Sequence, residues 1–363
     1  MSRLLLPVIC LLFLVCEAPN RAPTFPGTHW ERAPPEAVGV DAKILRTALD
    51  TLLAYCGDDQ DDELLLIRDG WVFFAGDRID QSHNLYSCSK SFTSTALGLL
   101  IADGTATLDT RAADILPELA DHYPTATLEH FATMTSGYSA SGNSRWNEPS
   151  ADWSPTPYVV DTPLFAPGSR YAYWDEAMMM NGKVLTSLHG DDLKTLLSER
   201  ITDPIGLGDW DWWAEDTLAN GVPLRNGCTG VRISARQLAR VGHLFLNEGN
   251  WRGSQLLPAE WVRAATSVRV PVATPIAETD RAGVLGNGAY GYNWWVNDPT
   301  NGAPWSMPDS PPLAYMSGFH HNVCFVIPEW RMVVVRTGED GNPPEGKWWV
   351  WNKFFKILGA GIR

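Results

Sequence analysis

The chain has 363 residues, 45% of them hydrophobic and 19% charged, which is ordinary globular usage and excludes wholesale disorder or a collagen-like repeat. Six cysteines are too sparse at this length for a disulfide mini-scaffold. With 28 Lys+Arg against 42 Asp+Glu the net charge is −14, so no basic surplus is left to displace phosphate counterions, and nucleic acid is not an expected partner.

Residues 1–18 read as an export signal. Arg3 gives a positive start, Leu4 to Cys16 is an apolar run, and Cys16-Glu17-Ala18 supplies small residues for cleavage. The run is shorter than a spanning helix, and Pro7 and Pro19 interrupt it. The expected location is therefore periplasmic or secreted. Cys16 leaves a lipid-anchored form open, and no later segment is apolar enough to make a transmembrane span. Beyond the signal stand Cys56, Cys88, Cys228 and Cys324; they allow three pairings, and buried thiols are the expectation in a chain this long.

Residues 19–39 are Pro-rich and polar and read as irregular surface chain. Val40 to Tyr55 carries apolar residues at helical spacing, from Ile44 to Leu53. Glu63 to Ala75 reads as a hairpin turning at Asp69-Gly70. The acidic run before it, Asp58 to Glu63, has no glycine for a calcium-loop turn and reads as a solvated loop. Ser87 to Asp103 reads as a helix closed by Gly104, with Phe92, Thr95, Ala96, Leu99 and Leu100 as its buried stripe. A mostly helical stretch, about 104–246, follows, with long polar loops between 136 and 167. Strand-like runs then come at Tyr290–Val296, Cys324–Ile327 and Met332–Arg336, and a last helix at Trp348–Leu358. Strands at both ends with helices between predict an α/β domain over 40–363: one antiparallel sheet built from the N- and C-terminal parts, flanked by helices, with a helical lobe inserted.

Several familiar motifs are absent or misplaced. There is no Gly-x-Ser-x-Gly elbow and no His-Glu-x-x-His pair. Gly286 to Gly291 spells a dinucleotide fingerprint but runs into a strand-like segment rather than opening a helix, so it reads as a loop. No cofactor or metal is called for. The informative motif is Ser87-Cys88-Ser89-Lys90 at a helix start. Residues three apart in a helix share a face, so the lysine can reach the serine hydroxyl. A hydroxyl needs a neighbouring group to take its proton before it attacks, and a helix N-terminus favours a developing oxyanion.

The stretch Asn84 to Thr93 resembles the nucleophile segment of the serine β-lactamase and penicillin-binding protein superfamily, and is most similar to its class C-like esterase, amide-hydrolase and nylon-oligomer-hydrolase branch. Further stretches resemble that superfamily in the same order: Thr133 to Gly137, Pro167 to Asp175 with a Tyr-x-Asn-like motif, Ile233 to Arg240, and Tyr315 to Asn322 where the family has its third motif on a sheet-edge strand. The resemblance implies the β-lactamase/transpeptidase-like fold, with Ser87 as acylated nucleophile, Lys90 as proton partner and Tyr173 as general base. Tyr171 is the rival base, and the spacing to Asp175 favours Tyr173.

Two departures bear on substrate. Asp175 stands where the family usually has Asn; a carboxylate there can pair with Lys90, hold it charged and shift the base role toward Tyr173. The third motif lacks its Lys-Thr-Gly or His-x-Gly form, with Phe319-His320-His321 in its place, so the cation that grips a β-lactam carboxylate is missing or replaced by histidine. A neutral small-molecule ester or amide, peptide-like at most, becomes the favoured substrate. His320 and His321 can line the pocket from alternate sides of a strand, and Asn322 is the expected second oxyanion donor through its backbone N–H. Trp146, Trp153 and Trp174 are expected to wall the cleft, with Trp294 and Trp295 packing the sheet. The function expected is ester or amide hydrolysis through an acyl-enzyme on Ser87. The alternatives are a non-catalytic penicillin-binding or peptidoglycan-sensing module on the same fold, and a glycan hydrolase, for which no carboxylate pair can be named.

Overall fold

The computed structural model describes residues 24–54, 61–142, 154–278, 284–303, 306–339 and 347–363. The expected export segment, Cys56, Trp146 and Trp153 lie outside the described residues.

After a 3-10 turn at Pro35–Val38 comes helix α1 (Ala42–Leu53). Asp41 caps α1 by accepting the Lys43 and Ile44 N–H groups, which satisfies two of the donors a helix start leaves open. The hairpin follows as β1 (Leu64–Arg68) and β2 (Trp71–Ala75), with Asp69 and Gly70 both left-handed at its turn. Next are β3 (Ser82–Asn84), a 3-10 turn at Tyr86–Cys88, and α2 (Ser89–Ala102), which Gly104 closes in the left-handed region. Short helices α3 (Ala112–Ile115) and α4 (Leu128–Ala132) lead to the long α5 (Asp175–His189) and to α6 (Leu193–Leu197). Strands β4 (Asp211–Trp212), β5 (Ala214–Thr217), β6 (Pro223–Arg225) and β7 (Val231–Ser234) precede α7 (Ala235–Leu246), which opens on a Ser234/Gln237 capping box. The chain ends with β8 (Asn250–Trp251), β9 (Ser254–Gln255), α8 (Ala259–Ala265), β10 (Trp295–Asn297), β11 (Leu313–Ser317), β12 (Val323–Ile327), β13 (Met332–Arg336) and α9 (Lys347–Gly359).

The main sheet runs β10-β11-β12-β13-β1-β2, antiparallel throughout. The N-terminal hairpin pairs with the last strand, as the distribution of strand-like runs predicts. Alternate side chains serve two cores. Leu65, Ile67, Cys324, Val326, Val333 and Val335 face α2 and α7, while Leu64, Leu66, Val323, Phe325, Met332 and Val334 face α1 and α9. Because helices cover both faces, these strands read as unbroken apolar runs rather than alternating ones.

Three local expectations are corrected. The run Tyr290–Val296 is not one strand: Asn293 is left-handed with φ 56°, and only Trp295–Asn297 joins the sheet. The third-motif strand, β11, lies second in the sheet beside β10 rather than at its edge. Helix α2 has no single stripe; every residue from Ser89 to Leu100 is buried. Its hydroxyls anchor it on several sides, with Ser89 accepting the Val231 N–H, Ser91 donating to the Asn293 carbonyl and Thr93 to that of Gly227.

Candidate active site

Ser87 stands in the 3-10 turn that feeds α2, half-buried, one residue after the left-handed Tyr86. A non-glycine residue in that region costs about 1 kcal/mol or more and must be held by its surroundings. Asn84 holds it: its Oδ1 accepts the Tyr86 N–H at 3.0 Å and the Gly230 N–H at 3.2 Å. From the other side, Gly318 at the end of β11 passes so close that a Cβ there would sit 2.1 Å from the Leu85 carbonyl oxygen. Only a glycine fits.

Lys90, one turn into α2 and 1% exposed, points back at the serine. Its Nζ donates to Ser87 Oγ at 2.9 Å, to Asp175 Oδ1 at 2.8 Å and to the Cys228 carbonyl at 3.3 Å. An ammonium has three protons, and each of these has an acceptor. Burial works to lower the lysine pKa, but the Asp175 carboxylate at 2.8 Å outweighs it and holds the group well above its ordinary value. Asp175 opens α5, where a carboxylate is favoured by the helix N-terminus.

Tyr173 closes the cluster, with Lys90 Nζ 4.7 Å from its ring centroid. Burial pushes its phenol up; the Lys90 charge draws it down, Asp175 opposes that, and the neighbouring Ser87 and Lys90 side chains draw it down again. Burial wins, so the phenol stays protonated near neutrality. Tyr171, the rival, is fully buried against Tyr290 at 5.6 Å, and no polar partner reaches its hydroxyl among the described residues. It is a core aromatic. The backbone reaches Tyr173 by way of the 133–137 loop, where the left-handed Met134 offers its carbonyl to the Ala172 N–H.

The third-motif residues are placed differently from expectation. His320 and His321 are not on a strand; they form the turn between β11 and β12, with φ of 55° and 61°. His321 is fully buried and its ring lies 6.1 Å from that of Trp351 in the core, away from the serine. His320 packs with Phe319 and Tyr86 at 4.1 and 5.5 Å, beside the nucleophile turn. Asn322 does not offer its N–H as an oxyanion donor, because that group already donates to the Phe319 carbonyl at 3.2 Å. Its side chain instead clamps the turn, donating to the Phe319 and Gly338 carbonyls and accepting the Gly338 N–H. Trp174 is buried in the helical-side core rather than walling a cleft. Trp294 packs on Phe245 as expected of a core residue. Trp295 does not merely pack the sheet: it stacks on Tyr173, centroids 5.6 Å apart at 28°. Cys88, Cys228 and Cys324 are buried thiols, and the Cys228 carbonyl belongs to the site.

A mixed α/β domain with this antiparallel sheet, whose buried helix opens on Ser-x-x-Lys with a tyrosine brought in from a separate segment, has the β-lactamase/transpeptidase-like fold. The chain belongs to the Beta-lactamase family, whose match spans residues 66–347. Similar solved structures include a family VIII carboxylesterase (16% identity, 89% of this chain and 99% of that one, TM-score 0.65) and the D-alanine carboxypeptidase AmpC from Burkholderia cenocepacia (18%, 88% and 100%, 0.61). An octameric penicillin-binding protein homologue from Pyrococcus abyssi is also similar (18%, 88% and 77%, 0.62). At these identities the likeness is one of fold. A search of curated proteins finds no sequence match. No helix among the described residues is long and apolar enough to cross a membrane.

Proposed function

We propose that the protein is a serine hydrolase that cleaves an ester or amide through an acyl-enzyme on Ser87. The observation that carries this reading is the Lys90 ammonium, 2.9 Å from Ser87 Oγ and fixed by Asp175 at 2.8 Å. With Lys90 donating to Oγ, the serine proton is left to face Tyr173. As Oγ attacks the acyl carbon, that proton passes to the phenol oxygen while the phenol passes its own proton to the leaving nitrogen or oxygen. The Oγ–H and acyl–heteroatom bonds break, the Oγ–acyl bond forms, and no phenolate need accumulate. Water repeats the exchange in the opposite sense and releases the acid. The Lys90 charge stabilises the negative character that grows on Oγ and on the phenol oxygen. The Ser87 N–H and the Phe319 N–H, just past Gly318, are the proposed donors to the carbonyl oxygen.

The test is labelling by a fluorophosphonate probe together with steady-state hydrolysis of p-nitrophenyl butyrate. The parent protein should be labelled and turn over, and Ser87→Ala should do neither while melting at the same temperature. A Ser87→Ala protein that hydrolyses the ester as fast as the parent overturns the assignment. A stoichiometric burst without turnover replaces it with the sensor reading.

A further inference from the structure

Beside the nucleophile turn lies a cavity of about 410 Å³ lined by Asn84, Trp212, Trp213, Arg225, Gly230 and Arg232, with Asp211 and Ala214 at its wall. Strand β7 forms its floor. Val231 and Ile233 are fully buried and Arg232 between them is exposed, so Arg232 projects from the opposite face. Asn84 on β3 and Asp211 on β4 are its cross-strand partners and share that face. Gly230, two residues back, leaves room there: a Cβ would lie 2.6 Å from that of Trp213, whose half-exposed ring stands over the cavity.

The polar groups in this cavity are not equivalent. Arg225 is taken up by Asp192, with bonds of 2.8 and 2.6 Å, and by the Trp212 carbonyl. Arg232 has no carboxylate within ion-pair distance among the described residues. Asp211 directs one oxygen to the Trp212 N–H at 2.8 Å. The Asn84 oxygen is engaged by the Tyr86 and Gly230 N–H groups, which leaves its amide nitrogen, a double donor, with no acceptor among the described residues. A guanidinium and an amide donor on one face, under a tryptophan ring, match an anionic planar acceptor such as a carboxylate.

The cavity borders the segments that build the site. Asn84 is three residues from Ser87, at most about 11 Å of extended chain, and the same side chain secures the residue preceding the nucleophile. Gly230 is two residues from Cys228, whose carbonyl receives Lys90. We infer that this cavity is a substrate subsite for a carboxylate carried several atoms from the scissile bond, with Arg232 as its anchor. The inference rests on hydrolysis at Ser87. It revises the expectation of a neutral substrate: the cation absent from the third motif is supplied from β7.

Two matched ester pairs test it: p-nitrophenyl valerate against mono-p-nitrophenyl glutarate, which places the charge on the acyl side, and phenyl butyrate against 4-butyryloxybenzoate, which places it on the leaving group. In the parent, the kcat/KM ratio of charged to neutral ester should exceed one in at least one pair. Arg232→Gln should lower that ratio tenfold or more, chiefly through KM, and Asp211→Asn should raise it. Ratios that stay within twofold in both pairs for Arg232→Gln overturn the inference, as does a parent that favours the neutral ester in both. Failure of the hydrolase reading is distinct: the parent then hydrolyses none of the four esters, and the fluorophosphonate does not label Ser87.

Discussion

Lys90 Nζ lies 2.8 Å from Asp175 Oδ1, with both side chains buried. This contact decides which proton states the site can adopt. Alone in that environment the lysine would tend to shed its proton, since burial disfavours the charged form; the carboxylate beside it reverses the balance and keeps the ammonium. Replacing Asp175 by Asn keeps the shape and removes the charge. The lysine pKa then falls, and so does that of the Tyr173 phenol, which Asp175 also raises. The alkaline limb of kcat/KM for p-nitrophenyl butyrate should therefore move down by at least about one pH unit. A limb that stays in place shows that Asp175 does not set the charge state of the site. Asp175→Ala leaves Lys90 to lose its proton or to stay as an uncompensated buried charge, and should cost about 3–5 kcal/mol in urea unfolding.

Tyr173 is protonated at rest yet central to the exchange, so its removal should cost rate rather than affinity. Tyr173→Phe keeps the stack on Trp295 and deletes only the shuttle oxygen. Turnover should fall roughly 10²- to 10⁴-fold with little change in KM. Tyr171→Phe deletes a hydroxyl with no polar partner among the described residues, so it should leave kcat within about twofold and stability level or slightly raised. Equal losses in the two variants would reopen the choice of base.

The nucleophile helix was legible because Ser87 and Lys90 are linked by local geometry alone: three residues on a helix imply contact. The Lys90–Asp175 pair could be anticipated only through family resemblance, since 85 residues separate the partners. The third-motif turn was misread because it is made by His320 and His321 in the left-handed region, a conformation sequence usually signals with glycine or asparagine. With histidines there, nothing in the local pattern marks a turn, and a strand continuing through Asn322 is the natural reading. Trp295 was assigned to sheet packing for a similar reason. Its neighbour Trp294 does pack the core, and alternation along the chain sends Trp295 to the opposite side, onto Tyr173. Arg232 carried no motif at all; its place emerges from the register of three short strands.

The seam between Gly318 and Leu85 makes a separate prediction. Gly318→Ala places a methyl 2.1 Å from a backbone oxygen, and neither backbone can yield without moving the Tyr86–Cys88 turn or the end of β11. Fluorophosphonate labelling of Ser87 should slow at least about tenfold, because a displacement near 1 Å is enough to spoil a reacting geometry. The double variant with Ser87→Ala should show the same loss of thermal stability as Gly318→Ala alone, since the strain lies in the backbone and not in the hydroxyl. Labelling at the parent rate would place the two segments farther apart than described.

His243 on α7 contributes to the loss of stability on the acid side. It is buried among Phe25, Trp30 and Trp251, and its Nε2 meets the Thr24 carbonyl at 3.0 Å. Burial lowers its pKa from 6.5 to about 4; the Thr24 contact opposes this, and Arg331 and Arg240 add to it. The unfolded chain therefore binds a proton between pH 6.5 and 4 that the folded chain refuses. Stability is intact above pH 6.5 and declines as pH falls toward 4, by roughly 3 kcal/mol from this group. His83 has the opposite sign. Its hydrogen bond to Glu63 raises its pKa despite burial, so its contribution is complete below about pH 6.5 and fades as pH rises through the folded value. Urea unfolding of His243→Gln from pH 7 to 4.5 should accordingly show a shallower decline than the parent. A slope equal to the parent's would mean that the imidazole is hydrated or protonated in the folded state, which the packing of three aromatic rings around it does not permit.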